Sequence, residues 1–240
     1  MQTGMNRSFS IARRERRFNQ MQTLRVQTSL MSVFTAAIAI GLFVATLPFS
    51  ALAQTTDEVL SDPLRRPGWN YGGAITGGFA VVQVTSSNFL TANRNISNLA
   101  LSFRVARVLS HERGPSLLRG SFEWDCNIIP VEIFWVLGTH YAGGFEPVAF
   151  RWNLTGNRHR VVPFAGVAGG LLFSPENFPP GNTYQMNFTA AIEAGTHVFV
   201  RRRRSIDVSG RVFHLSNAYL GAFNPGIPVG LQFTLGYSWY

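Results

Sequence analysis

The feature that most constrains this chain is an alternation of apolar and polar side chains, with period two, that recurs from residue 99 to residue 239. Such alternation is the mark of a strand with two unlike faces. Residues 120–128 set Phe122, Trp124, Cys126 and Ile128 against Ser121, Glu123, Asp125 and Asn127. Val148, Phe150, Trp152 and Leu154 alternate with Ala149, Arg151, Asn153 and Thr155, and Leu99, Leu101, Phe103 and Val105 with Ala100, Ser102, Arg104 and Ala106. Met186–Ile192 and Ile206–Val212 repeat the pattern, and residues 231–239 close it with Leu231, Phe233, Leu235, Tyr237 and Trp239 on one face. Two further segments, 69–84 and 160–174, are rich in glycine and small apolar residues, and their faces are not assignable. Together these make eight strands, so the expected fold is all-β, an eight-stranded antiparallel barrel.

A barrel can carry its apolar face inside, as a soluble carrier of the lipocalin type does, or outside, toward lipid. The polar face decides. It holds Arg104, Glu123, Asp125, Arg151, Glu193, Asp207 and Arg211, both signs in near balance, as pairing across a narrow enclosed lumen requires. A solvated outer face is usually rich in lysine, and all 21 basic residues of this chain are arginines. Trp239-Tyr240 close the chain with aromatics, although Tyr240 is out of phase with the apolar set. The reading is a transmembrane β-barrel of a bacterial outer membrane.

The beginning of the chain fits export. Arg13, Arg14, Arg16, Arg17 and Arg25 precede an apolar run from Met31 to Leu47, and Ser50-Ala51-Leu52-Ala53-Gln54 has the small-x-small pattern of a signal-peptidase site. Pro48 and that pattern argue against an anchor helix. Residues 1–53 are therefore expected to be a cleaved signal peptide, starting at Met1 or Met21; residues 54–68 a short periplasmic segment; and residues 69–240 the barrel domain. Six arginines and one acid, Glu15, fall in the leader, so the mature part carries fifteen arginines against eleven acids. That modest excess withdraws support from a nucleic-acid partner. Cys126 is the only cysteine, and the histidines lack metal-ligand spacing, so neither a metal nor another cofactor is expected.

Loop lengths suggest an orientation. Residues 109–116, 155–159 and 201–204 read as periplasmic turns, and about 85–95, 137–147, 175–183 and 217–227 as outward loops, generally longer, as this class of barrel prefers. The arginine run 201–204 then lies in a solvated turn rather than a binding patch.

One short stretch carries chemistry. His214 and Ser216 are two apart on a strand, so both leave the same face about 7 Å apart at Cα. An imidazole leaning along the strand then meets a hydroxyl, the base–nucleophile pairing of serine hydrolysis. Parity from Ile206, Val208 and Val212 puts both on the lipid-facing side, near the outward end of their strand. The competing reading is that a histidine and a serine simply mark the polar rim of the barrel.

The run Phe213-His214-Leu215-Ser216-Asn217-Ala218, with Asn224-Pro225-Gly226, resembles the active-site signature of the outer-membrane lipid A 3-O-deacylases, the PagL family. That resemblance implies an ester hydrolase acting on the 3-O-linked hydroxyacyl chain of lipid A in lipopolysaccharide, among outer-membrane lipids. It implies His214 as general base, Ser216 as nucleophile and Asn217 as an oxyanion contributor. The family also places a carboxylate at the start of the last strand to orient the histidine. Here Pro228 holds that position, and no Asp or Glu follows Asp207. Asn224 is offered as a substitute orienting group. The alternative is a barrel of the same lineage, impaired in catalysis, acting as a structural or lipid-binding protein. The oligomeric state, a homodimer included, stays open.

Overall fold

A computed structural model describes residues 60–85, 91–156, 160–181, 183–221 and 223–240. The expected signal peptide lies outside the described residues, as do residues 54–59 of the segment 54–68. Eight strands follow one another: β1 (Gly68–Thr85), β2 (Thr91–Val108), β3 (Ser121–Trp135), β4 (Thr139–Asn153), β5 (Val161–Phe178), β6 (Tyr184–Arg201), β7 (Arg204–Ser216) and β8 (Ile227–Trp239). Each pairs antiparallel with its neighbours in sequence, and β8 pairs with β1 from Tyr71↔Trp239 to Ala80↔Gly230, which closes the barrel. Closure leaves no unpaired edge for lipid to meet.

The faces fall as the alternation predicts. Ile192 is 69% exposed and Leu235 61%, whereas Glu123 and Asp125 are 0% exposed. Apolar side chains point out and charged ones in, the reverse of a soluble barrel, so the lipocalin-like alternative fails. Inside, the charges pair across the lumen. Arg151 bridges Asp125 (2.9 Å) and Glu193 (2.5 Å), and Arg104 lies 3.5 Å from Asp125 and 3.8 Å from Glu123. Arg211 holds Glu146 through both terminal nitrogens, at 2.5 and 3.1 Å. Asn70 and Asn153 donate to the two oxygens of Glu123. Buried carboxylates keep their charge only with such partners.

Two expectations need correction. The lumen is not polar throughout: the inward face of β7 runs Asp207, Ser209, Arg211 and then Phe213 and Leu215, all turned from the lipid. Phe213 and Leu215 join Val82, Phe134, Leu172, Phe178 and Ile227 in an apolar core that fills the half of the barrel toward Ser216. A smaller cluster of Leu64, Val108, Val162 and Phe199, with Leu60 and Tyr240 against it, closes the other end. Leu64 reaches it from a one-turn 3-10 helix, Asp62–Leu64, whose following Arg65 is tied to Glu112 and to the Gly156 carbonyl. An apolar cluster therefore stands toward each end of the lumen.

The second correction concerns connections. The loops expected at 85–95, 137–147 and 175–183 shrink to 86–90, 136–138 and 179–183, because the strands run on past the apolar band. Residues 91–95 fall in the expected loop, yet they pair residue for residue with 81–85. Here Asn93, Asn95 and Ser97 put polar side chains on the outer wall, so alternation fades while the ladder continues. Loop length consequently supports no orientation, since 109–120 is longer than any of these three. The turn between β6 and β7 does fall at Arg202-Arg203, within the arginine run.

Candidate active site

The end of the barrel holding the apolar core also carries His214 and Ser216. β7 ends at Ser216, and the chain crosses to β8 through residues 217–226. His214 is exposed on the outer wall beside Ala190 of β6, and half-buried Ser216 lies beside Phe188. Between them Leu215 points inward and is 1% exposed, so the strand carrying the pair is pinned from inside by core packing.

The loop is ordered by amide side chains. Asn217 is buried; its Oδ1 accepts the Tyr219 N–H (2.9 Å) and its Nδ2 donates to the Phe223 carbonyl (2.8 Å). Ala218 and Tyr219 sit at φ of 51° and 60°, a left-handed conformation costing non-glycine residues roughly 1–2 kcal/mol each. The Asn217 hydrogen bonds hold that strained turn. Gly226, also left-handed at φ 52°, passes so near β7 that an added Cβ would lie 2.3 Å from the Leu215 carbonyl oxygen. Only glycine fits there.

Asn224 lies where the serine is. Its Nδ2 donates to Ser216 Oγ at 2.9 Å, and its Oδ1 accepts the main-chain N–H of Asn217 at 3.0 Å. The Ala218 N–H also donates to Ser216 Oγ, at 3.1 Å. Two N–H donors thus converge on one hydroxyl, with the carboxamide held by its other end. This departs from the sequence expectation in both asparagines: Asn217 spends its side chain on the loop, and Asn224 meets the serine rather than the histidine.

His214 finds a different partner. Its Nδ1 lies 3.1 Å from the main-chain carbonyl oxygen of Pro228. The β7–β8 register shifts between Phe213↔Gly230 and Leu215↔Ile227, so His214 alone faces Pro228 and Val229 together. That is a β-bulge, a device that re-aims groups locally. The missed signal was Pro228 itself. Proline cannot donate to a ladder, and in a fully paired strand it belongs at a bulge. Among the described residues no hydrogen bond joins His214 to Ser216.

The stretch of chain carrying these residues is similar to a known family. Residues 121–238 match the family model described as lipid A 3-O-deacylase (PagL). No curated protein matches the chain in sequence. Among solved structures, the outer-membrane enzyme PagL is similar at 18% identity and a TM-score of 0.43, covering 69% of this chain and 99% of that one. Neisserial surface protein A is similar at 12% and 0.39, covering 72% and 98%, and OprG from Pseudomonas aeruginosa at 8% and 0.42, covering 73% and 96%. Likenesses this distant carry nothing about the site. The family match spans His214, Ser216, Asn217, Asn224 and Pro228, and it runs from the start of β3 to the penultimate residue of β8, so through residues 121–238 this outer-membrane chain is similar to the lipid A 3-O-deacylase (PagL) family.

Proposed function

We propose that this protein is an outer-membrane ester hydrolase that removes the 3-O-linked hydroxyacyl chain of lipid A, with Ser216 as nucleophile and His214 as general base. The observation carrying the reading is the place of the pair: on the outer wall at one rim, His214 exposed and Ser216 half-buried, with two N–H donors on the serine oxygen. A hydrolase whose substrate never leaves the bilayer needs its nucleophile there. β1 begins and β8 ends at the opposite rim, so export that leaves Gly68 and Trp239 periplasmic presents His214 and Ser216 to the outer leaflet, where lipid A resides.

The steps balance without any external reagent but water. Ser216 Oγ attacks the ester carbonyl carbon as its proton passes to His214 Nε2. The tetrahedral oxyanion forms within reach of Asn224 Nδ2 and the Ala218 N–H, which already point at Oγ. Preorganised donors of this kind are worth about 10²–10³ in rate. Collapse breaks the bond to the sugar oxygen, which takes the proton from His214 and leaves as a free hydroxyl. Water then repeats the sequence on the acyl-serine, releasing a 3-hydroxy fatty acid. Asn217 acts in this scheme by holding the loop, and Asn224 takes the oxyanion role.

The reading is tested by mass spectrometry of lipid A from cells expressing the chain. Loss of one ester-linked 3-hydroxyacyl group, abolished by Ser216→Ala, is expected. Unchanged lipid A, with the barrel shown to be folded in the outer membrane by heat-modifiable gel migration, overturns it. The absence of any acid after Asp207 favours a second reading, a lineage member without catalysis, and the same experiment separates the two.

A further inference from the structure

We propose that the main-chain carbonyl of Pro228, turned out of the β7–β8 ladder by the bulge, is the positioning group of His214 and fixes its neutral ring as the Nδ1–H form. This rests on the hydrolase reading above and deepens it. A carbonyl oxygen can only accept, so at 3.1 Å the proton of that hydrogen bond sits on Nδ1. The lone pair is then on Nε2, the nitrogen that must take the Ser216 proton. In a serine hydrolase, the orienting group's first task is to hold the correct tautomer, and losing it costs about four decades of rate. A main-chain carbonyl performs that task without bearing a charge.

The geometry is written into the sequence. Pro228 has no N–H to give β7, so the ladder breaks there, and His214 opposes two residues of β8. The bulge leaves the residue 228 carbonyl available to a side chain instead of to the ladder. Among the described residues no acid competes for the ring. On the outer wall around His214, β7 presents Val212 and Ser216, β6 presents Phe188, Ala190 and Ile192, and β8 presents Pro228 and Val229; none of these titrates. The nearby carboxylates of the same strands, Glu193 and Asp207, face the lumen and are held by Arg151 and His197. His214 therefore has an orienting acceptor and no counter-charge for the imidazolium that forms during the reaction.

Two measurements test this. In the native barrel, labelled with ¹⁵N-histidine in detergent micelles and assigned by loss of signals in His214→Gln, the neutral His214 ring is expected with Nδ1 protonated and Nε2 bare. A ring found chiefly as the Nε2–H form, which free histidine favours, overturns the proposal whether or not the protein hydrolyses lipid A. The second measurement is the pH–rate profile of Pro228→Glu, which supplies the absent charge. An opposite charge within about 4–6 Å favours the charged form of a base. The acidic limb of the profile should move up by about one pH unit, with kcat raised about tenfold at its plateau and KM little changed. A limb that stays in place, with the variant barrel folded, shows that residue 228 does not act through the histidine. Failure of the hydrolase reading shows separately, as intact lipid A in cells making the native chain whose ring is nonetheless in the Nδ1–H form.

Discussion

The barrel holds two serine–histidine groupings, one inside and one outside, and they are unlike in an instructive way. Inside, Asp207 accepts from Ser205 Oγ (2.6 Å) and pairs with His197 Nδ1 (2.8 Å), with Ser238 on its second oxygen. All three residue types of a hydrolytic triad are present. Yet Ser205 and His197 are 0% exposed, the serine hydroxyl points at the carboxylate instead of the imidazole, and the other ring nitrogen faces Asn153 Oδ1 at 3.3 Å. Outside, His214 and Ser216 have no carboxylate but stand open to lipid, with donors on the serine and an acceptor on the histidine. Composition favours the inner group and access favours the outer one, where the Ser216 hydroxyl donates to Asn224 Oδ1 at 3.3 Å. What separates a catalytic cluster from a structural one is which lone pair stays free and what can reach it.

The sharpest way to break that contrast is to remove each serine in turn. Ser216→Ala should reduce deacylation of purified lipid A in micelles by on the order of 10⁴-fold or more, down to background. Ser205→Ala should leave kcat within about twofold. If the inner variant were the dead one, with its barrel folded, the assignment would be reversed. Next in size is Asn224→Ala. Loss of one oxyanion donor should lower kcat by about 10²–10³ with little change in KM. An unchanged kcat would reduce Asn224 to a loop-holding residue like Asn217.

The inner group should answer through stability instead. Asp207→Asn leaves His197, Ser205 and Ser238 facing a neutral amide inside the barrel, and losing hydrogen bonds to a charged group costs about 1.5–3 kcal/mol. Equilibrium unfolding in guanidinium, followed by heat-modifiable migration, should show that loss, while the refolded barrel keeps its deacylation rate. Leu215→Ala probes the boundary between the regions, because its side chain is in the apolar core while its neighbours on β7 are His214 and Ser216. Emptying a fully buried leucine site costs about 2–5 kcal/mol. Here kcat should fall as well, since the strand carrying the pair loses its inner anchor.

Much of this was readable from sequence, for a physical reason. Lipid outside and charge inside force opposite chemistry onto alternate residues, so Glu123, Asp125, Arg151 and Glu193 declared the lumen and Ile192 and Leu235 the wall. The signal faded wherever that contrast fades. Residues 91–95, with polar side chains on the outer wall, looked like loop. Phe213 and Leu215, inward yet apolar, were hidden because both faces of β7 are mixed at its end. At the site, two-residue spacing placed His214 and Ser216 correctly on one face. The roles of Asn217 and Asn224 depend on how a ten-residue loop folds back, which spacing does not encode. Pro228 was visible as a missing carboxylate, whereas its consequence, a bulge that frees a carbonyl, follows from the missing N–H.

The smallest expected effect concerns Tyr240, whose phase did not fit the apolar face of β8. The misfit is explained by its place, past the end of β8 and turned inward to cover the end of the barrel opposite the site. Its ring packs on Phe199 at 5.2 Å, and its hydroxyl is 3.3 Å from both Ser205 Oγ and His197 Nδ1. Those hydrogen bonds are long, so Tyr240→Phe, which keeps the ring, should cost only about 1 kcal/mol at neutral pH. Burial, and then the charge of Asp207, push the phenol well above its ordinary range. A group whose folded pKa is raised stabilises the fold fully below its unfolded value and loses that contribution as pH rises past it. The native barrel should therefore weaken progressively above about pH 10, where the unfolded phenol ionises and the buried one does not. Tyr240→Phe lacks an ionisable phenol and should lose less over the same range, so unfolding midpoints of the two chains, compared from pH 8 to 11, should converge. Parallel slopes would mean that Tyr240 is not sealed among the inner group, and that the lumen is open at this end.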